Sequence, residues 1–295
     1  MRLCMESVVI FFAKLNVWQK ALILLIEFAF FWSLESAFGI FKTGKYKHAK
    51  INLFFWAWTL GINLIFAGLI TGASVFVEKY RLGLLYLFEL PFYLKIIFSF
   101  VLTDLIAVYF HHRLAHKIPA FWKLHIVHHS DTQMDFTTSL RHHPLEALIR
   151  VGFTILAVIL VGVPTESLVF YQAVTFLFSQ WIHSDSVLPE FWEKAISKIF
   201  ITPGLHKVHH HKTLPWTDSN YGTVFSFWDR IFGTIRFKSE IEFGVDVLPD
   251  SEEREKSLIR LLLLPFRTEK EGYIDRSGRN QNISAWNPKE NMQNY

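Results

Sequence analysis

The chain has 295 residues, of which 51% are hydrophobic, 17% aromatic and only 19% charged, with a mean hydropathy of +0.26. Those values disfavour a soluble domain and point to an integral membrane protein of one or two domains. The net charge of +4 is small and the Lys and Arg are dispersed, so a cytoplasmic membrane face accounts for it without a nucleic-acid partner. A single cysteine, Cys4, excludes an intrachain disulfide framework and a cysteine-based metal site. The start lacks a small-residue cleavage site, so no signal peptide is expected. No fold-scale repeat is present, although the pattern H-x-x-H-H recurs.

In chain order, the first apolar run is Ala21–Phe41 and the second Ile51–Phe76. Each exceeds the roughly 20 residues that span a bilayer as a helix. The third region, Gly83–Phe110, is interrupted by Glu89, Pro91 and Lys95. Its part Ile96–Phe110 reads as membrane-buried, with Lys95 snorkelling at one end. A fourth run, Leu145–Gly162, and a fifth, Ser167–Ile182, flank a short V-P-T-E turn and predict a helical hairpin. Five such runs favour membrane insertion over the buried core of a soluble protein. Residues 188–200 predict a surface helix with Phe191, Trp192, Ile196, Ile199 and Phe200 on one face, suited to the interface or to core packing. From Arg267 onward the chain is polar and expected to be disordered or loosely attached.

Basic loops set the orientation. Lys42, Lys45, Lys47 and Lys50 follow the first run, whereas only Lys79 and Arg81 follow the second. The positive-inside rule then places the first loop, and by alternation all the histidine clusters, in the cytoplasm. Lys14 and Lys20 fall outside unless residues 6–18 lie along the interface. The expected fold is an all-α, polytopic membrane helical bundle with a histidine-rich di-metal site at its cytoplasmic face. Residues 1–95 form its N-terminal spans, 96–240 its catalytic region with a membrane hairpin at 145–182, and 241–295 a polar tail.

Of 14 histidines, 13 lie between His111 and His211, and only His48 falls outside. His112 and His116 stand four apart and share a helix face. His125, His128 and His129 repeat at i, i+3 and i+4, and His206, His209 and His210 copy that spacing. Clustered, mutually repelling imidazoles near a membrane have little structural rationale, whereas neutral imidazole is a common metal ligand. These eight, with His183 in W-I-H-S-D as a ninth, exceed the capacity of one ion; two ions with four or five ligands each would use them and leave open positions. Imidazole alone does not separate zinc, copper, nickel and iron. No catalytic side chain is expected beyond the metal centre.

Asp104 lies two four-residue steps before His112 and is expected to support a histidine ring, the alternative being a carboxylate satisfied by a serine or tyrosine. Pro119 should end that helix. His143, before Pro144, is expected to act behind the ligands or to face substrate, and His142 to be structural. His111 and His211 lie off the repeating spacing and are either supporting or surface groups.

The segments D-L-I-A-V-Y-F-H-H-R-L-A-H, F-W-K-L-H-I-V-H-H-S-D, T-S-L-R-H-H-P-L-E, W-I-H-S-D-S-V-L-P, T-P-G-L-H-K-V-H-H-H-K-T-L-P-W-T-D-S-N-Y-G and F-W-D-R-I-F-G-T-I-R occur in that order. Together, over about residues 96–237, they resemble the fatty acid hydroxylase / sterol desaturase superfamily of membrane di-iron oxygenases. The resemblance implies two iron ions, Fe2+ when reduced, held by His112, His116, His125, His128, His129, His183, His206, His209 and His210. It also implies that Asp218, Asn220 and Tyr221 of a D-x-N-Y-G segment order the loop or hydrogen-bond a ligand; a turn with Gly222 at a special backbone angle is the equal alternative. The activity implied is O2-dependent hydroxylation of a lipid-like substrate: fatty acyl, sterol or ether lipid. No cytochrome b5-like domain is recognisable here, so electrons are expected from a separate protein: cytochrome b5-like, ferredoxin or flavoprotein reductase. A desaturase with the same centre is the nearest competitor. A membrane metal transporter is a distant one, because the ligands gather at one face instead of along the spans.

Overall fold

A computed structural model describes residues 2–37, 45–246 and 257–266. Among the described residues the regular structure is all helical, and two isolated bridges, Phe200 with Phe225 and His211 with Phe243, are the extended pairings. Helices α1 (Arg2–Lys14) and α2 (Val17–Ala37) form a sharply bent pair. Helix α3 (Lys45–Lys79) is followed by α4 (Phe92–Lys117), α5 (Pro119–His129) and a 3-10 turn, Phe136–Leu140. Then come α6 (Pro144–Val161), α7 (Thr165–His183), α8 (Glu190–Ile196), α9 (Pro203–His209), α10 (Phe227–Ile231) and α11 (Leu258–Leu263).

Three of these, α3, α4 and α6, are long and apolar enough to cross a membrane, and the α1–α2 pair would make a fourth. The expectation of five apolar spans is corrected at Ser167–Ile182. That run is helical, within α7, but Gln172, Thr175, Ser179 and Gln180 dilute it and α7 does not qualify. The hairpin itself forms. Gly162 ends α6 in the left-handed region (φ 79°), and a side chain there would strike the Leu82 carbonyl and the Tyr86 ring. The Ser74 hydroxyl donates to the Val163 carbonyl at 2.6 Å, which satisfies the turn from α3. Val151, Val158, Val161 and Leu168 pack there against Ile70 and Val77. Lys42 of the basic loop and the tail from Arg267 lie outside the described residues.

The 188–200 stretch forms only the short helix α8, on which Phe191 and Trp192 are exposed. Pro119 acts as expected: Ile118 is extended and Pro119 takes the first position of α5. Helix α4 departs from expectation in winding. Its stretch Asp104–Phe110 is π-helical, and the looser i→i+5 bonding rotates the faces before and after it relative to each other.

Candidate metal centre

Four chain segments deliver the imidazoles: the end of α4, most of α5, the end of α7, and α9. Three of them have a local reason for their placement. The Trp122 ring of α5 lies against His116 (centroids 4.9 Å) and His129 (5.4 Å), a wall between the first two boxes. The Thr202 side chain caps α9 by accepting from Leu205 N–H at 3.3 Å, and its hydroxyl donates to Glu193 of α8. Behind α4, Tyr109 packs with Tyr221 and Trp228, docking the loop that follows the third box.

The nine imidazoles named from the sequence come together in two groups. His112, His116, His125, His129 and His209 form one; His128, His183, His206 and His210 form the other. Within each group one ring nitrogen per residue lies within 4.8 Å of all the others. All nine are buried, His112 the least at 8% exposure. The groups adjoin, with His129 stacked on His210 at 4.5 Å.

Hydrogen bonds on the outer nitrogens fix which way the lone pairs point. His112 Nδ1 donates to the Tyr221 carbonyl (2.8 Å), His209 Nδ1 to the Ser219 carbonyl (2.7 Å) and His183 Nδ1 to the Ser179 carbonyl (2.7 Å). A carbonyl only accepts, so in these neutral rings Nε2 carries a lone pair. His125 Nδ1 is likewise committed to Glu146 Oε1 (2.8 Å). His112 Nε2 and His125 Nε2 nevertheless face each other at 3.1 Å. His183 Nε2 faces His128 Nε2 at 3.1 Å and His206 Nε2 at 3.0 Å. Between His112 and His125, whose Nδ1 atoms are both committed elsewhere, neutral rings oppose two lone pairs that repel at that distance unless a cation lies between them. Among the described residues, both ring nitrogens of His129 and of His210, and Nε2 of His209, have no hydrogen-bond partner. Burial, and after it the neighbouring imidazoles, hold His128, His129, His206, His209 and His210 well below the ordinary histidine range. They are neutral near pH 7 and free to donate electron pairs to a metal. The donor set therefore fits two imidazole-bound transition-metal ions.

The supporting residues are redistributed relative to expectation. Asp104 does not reach a histidine: the π-helical turn directs its Oδ2 to the Trp228 indole N–H at 3.1 Å. His143 caps α6 by accepting from Leu145 N–H, and its Nε2 meets the Leu262 carbonyl, so both ring nitrogens are committed to backbone groups. Asp218 accepts from His116 Nδ1 (3.2 Å) and from the exposed Lys117 (2.8 Å). Asn220, at φ 49°, ties the loop by donating to the Leu205 and Arg236 carbonyls, and touches no imidazole with its amide. The special angle expected at Gly222 belongs to Asn220 instead; Gly222 is required because a side chain would strike the Phe225 carbonyl. His111 is buried against Phe153 and belongs to neither group, and His211 accepts from Glu242 N–H.

Two acids escaped the sequence reading. Glu146, in the first turn of α6, accepts from both His125 and His142 (3.2 Å), and the His142 ring stacks on His128 at 4.5 Å. Asp229 accepts from Tyr221 N–H (2.8 Å), Gly222 N–H (3.0 Å) and the Thr234 hydroxyl (2.6 Å), and burial pushes its carboxyl up to about 6. The available signal in each case was an acid inside an otherwise apolar segment.

A family model described as fatty acid hydroxylase matches residues 96–234, which hold all nine imidazoles. Residues 96–234 belong to the fatty acid hydroxylase superfamily. Similar proteins include the ornithine lipid hydroxylase OlsE of Rhizobium tropici, 28% identical over 144 residues, or 49% of this chain and 42% of that protein. The alkylglycerol monooxygenase of Homo sapiens is 30% identical over 132 residues, 45% of this chain and 28% of that one. Its Caenorhabditis elegans counterpart is 32% identical over 130 residues, 43% and 24% of the two chains. The chain thus spans less than half the length of each of these relatives. No solved structure matches the chain. Residues 2–95 and the tail lie outside the fatty acid hydroxylase match.

Proposed function

We propose that this chain is an integral membrane, multi-pass, non-haem di-iron oxygenase that hydroxylates an unactivated C–H bond of a lipid-like substrate with O2 and external electrons. The observation that carries the reading is the pair of adjoining buried imidazole groups, each with one ring nitrogen per residue gathered within 4.8 Å of the others. Iron bound there would supply the O2-activating redox chemistry. The chain's own residues do the rest. His112, His116, His125, His129 and His209 hold one ion, and His128, His183, His206 and His210 the other. Tyr221, Ser219, Ser179, Glu146 and Asp218 aim the rings. Trp122 and Tyr221 back the His116 ring (centroids 4.9 and 5.2 Å) and help keep water from it. Residues 1–95 would supply membrane spans, 96–240 the catalytic region, and the site would face the cytoplasm, where a separate electron-donor protein reaches it.

Hydroxylation is favoured over desaturation by relatives named as a lipid hydroxylase and as monooxygenases. The test has two readouts. Protein made with ample iron should carry about two iron ions per chain. Lipid extracts from cells with and without the active chain should differ by a product that has gained one oxygen. Loss of two hydrogens would make it a desaturase, and iron-free protein with a changed lipid profile would remove the di-iron assignment.

A further inference from the structure

We infer that His48, outside the fatty acid hydroxylase match, is a positioning residue of the metal centre. This rests on the di-metal reading of the site. His48 lies on α3, and its Nε2 donates to Asp131 Oδ1 at 2.6 Å across 83 residues of sequence. Its Nδ1 lies 3.3 Å from Asp135 Oδ2. One turn along α3, Asn52 donates to the Thr137 hydroxyl at 2.9 Å. Asp131 Oδ2 also accepts from the Thr138 hydroxyl at 2.8 Å. The fully buried Arg141 closes the cluster: Nε donates to the Val127 carbonyl and a terminal nitrogen to the Ser130 hydroxyl, both at 3.1 Å.

Every one of these bonds lands on the C-terminal end of α5 or on the turn that follows it. His128 and His129, one in each imidazole group, are the last two residues of that helix. Asp131 is the point where α3 grips it. An ion pair buried this deeply costs desolvation and adds little net stability, so its retention is better explained by the position it fixes. The position fixed is that of two rings, His128 and His129, whose Nδ1 atoms have no hydrogen-bond partner among the described residues. His48 and Asp131 thereby set, from outside, the helix end that carries these two rings.

The experiment uses the full chain in detergent and Co2+ as probe, read by its ligand-field absorption, beside thermal unfolding. His48→Phe keeps a ring and loses the bonds; His48→Gln keeps a donor toward Asp131. We expect His48→Phe to weaken Co2+ binding about 10–100-fold and to alter the ligand-field bands, and His48→Gln to restore most of both. A packing role predicts the reverse order, with Phe the better substitute. Wild-type affinity and bands in folded His48→Phe would overturn the inference. Where His48→Phe does not fold, Thr138→Val decides: it removes one bond to Asp131 at nearly constant volume, and unchanged bands there would equally overturn it. A wild-type chain that takes up no Co2+ would instead break the di-metal reading.

Discussion

The two imidazole groups are held by different forces. In the five-histidine group, four rings donate their outer nitrogen to a fixed acceptor: the Tyr221 carbonyl, Asp218, Glu146 and the Ser219 carbonyl. In the four-histidine group only His183 does so, to the Ser179 carbonyl. The other three rings are stacked: His128 on His142 (4.5 Å, 15°), His210 on His129 (4.5 Å, 19°) and His206 on His209 (5.1 Å, 20°). A hydrogen bond fixes both tautomer and direction, whereas a stack fixes only the ring plane. The five-histidine group is therefore the better organised before metal arrives, and the four-histidine group should release its metal first.

Deleting a ligand from each group has the largest expected effect. His209→Ala and His128→Ala should each abolish turnover, and each should lower bound iron from about two to about one or less per chain. The iron remaining in His128→Ala should resist a chelator better than that in His209→Ala. Full activity in either variant, or equal resistance in both, would break the contrast. Next comes Glu146→Ala, which unlocks His125 without removing it. It should weaken metal binding in the five-histidine group about 10–100-fold, so that the two phases of chelator release merge; Glu146→Gln should fall between.

These residues also mark where local sequence stops being informative. The i, i+3 and i+4 spacing aligns rings on one turn of helix, and the eight rings named on that basis do gather, with His183 beside them. The partners of those rings do not follow from spacing. Four-residue steps align Asp104 with His112, but a π-helical turn between them rotates it toward Trp228. Glu146 sits in an apolar run and reads as the acid of a helix start. His48 meets Asp131 only because α3 packs beside the turn after α5. Likewise α3, α4 and α6 are legible as long apolar runs, while α7, interrupted by Gln172, Thr175, Ser179 and Gln180, is less apolar than its sequence suggests. Periodicity reports the face a helix presents and is silent on what tertiary packing sets against it.

Acid should act on both groups alike. His129 and His209 of one group, and His128, His206 and His210 of the other, are held well below the ordinary imidazole value. Below about 6.5 the unfolded chain binds protons that the folded protein does not. The metal-free protein is thus fully stabilised above about 6.5 and loses stability as the pH falls below it. Thermal midpoints recorded between pH 8 and 5 should show that fall, at roughly the free-histidine value. A flat profile would mean that the rings are not held neutral in the folded chain.

The smallest effect is the most selective. Asn220 lies between Ser219 and Tyr221, whose carbonyls lock His209 and His112. Its side chain holds that loop through the Leu205 carbonyl, the Arg236 carbonyl and the Arg236 N–H. Asn220→Gly keeps the left-handed backbone and removes only these bonds. The expected cost is about 1–3 kcal/mol of stability. Metal affinity in the five-histidine group should fall several-fold while the four-histidine group, which takes no acceptor from this loop, is unchanged. Chelator release would then show only the slower phase quickened. Equal quickening of both phases would mean that the groups share one scaffold, and that the difference between bonded and stacked rings has no energetic consequence.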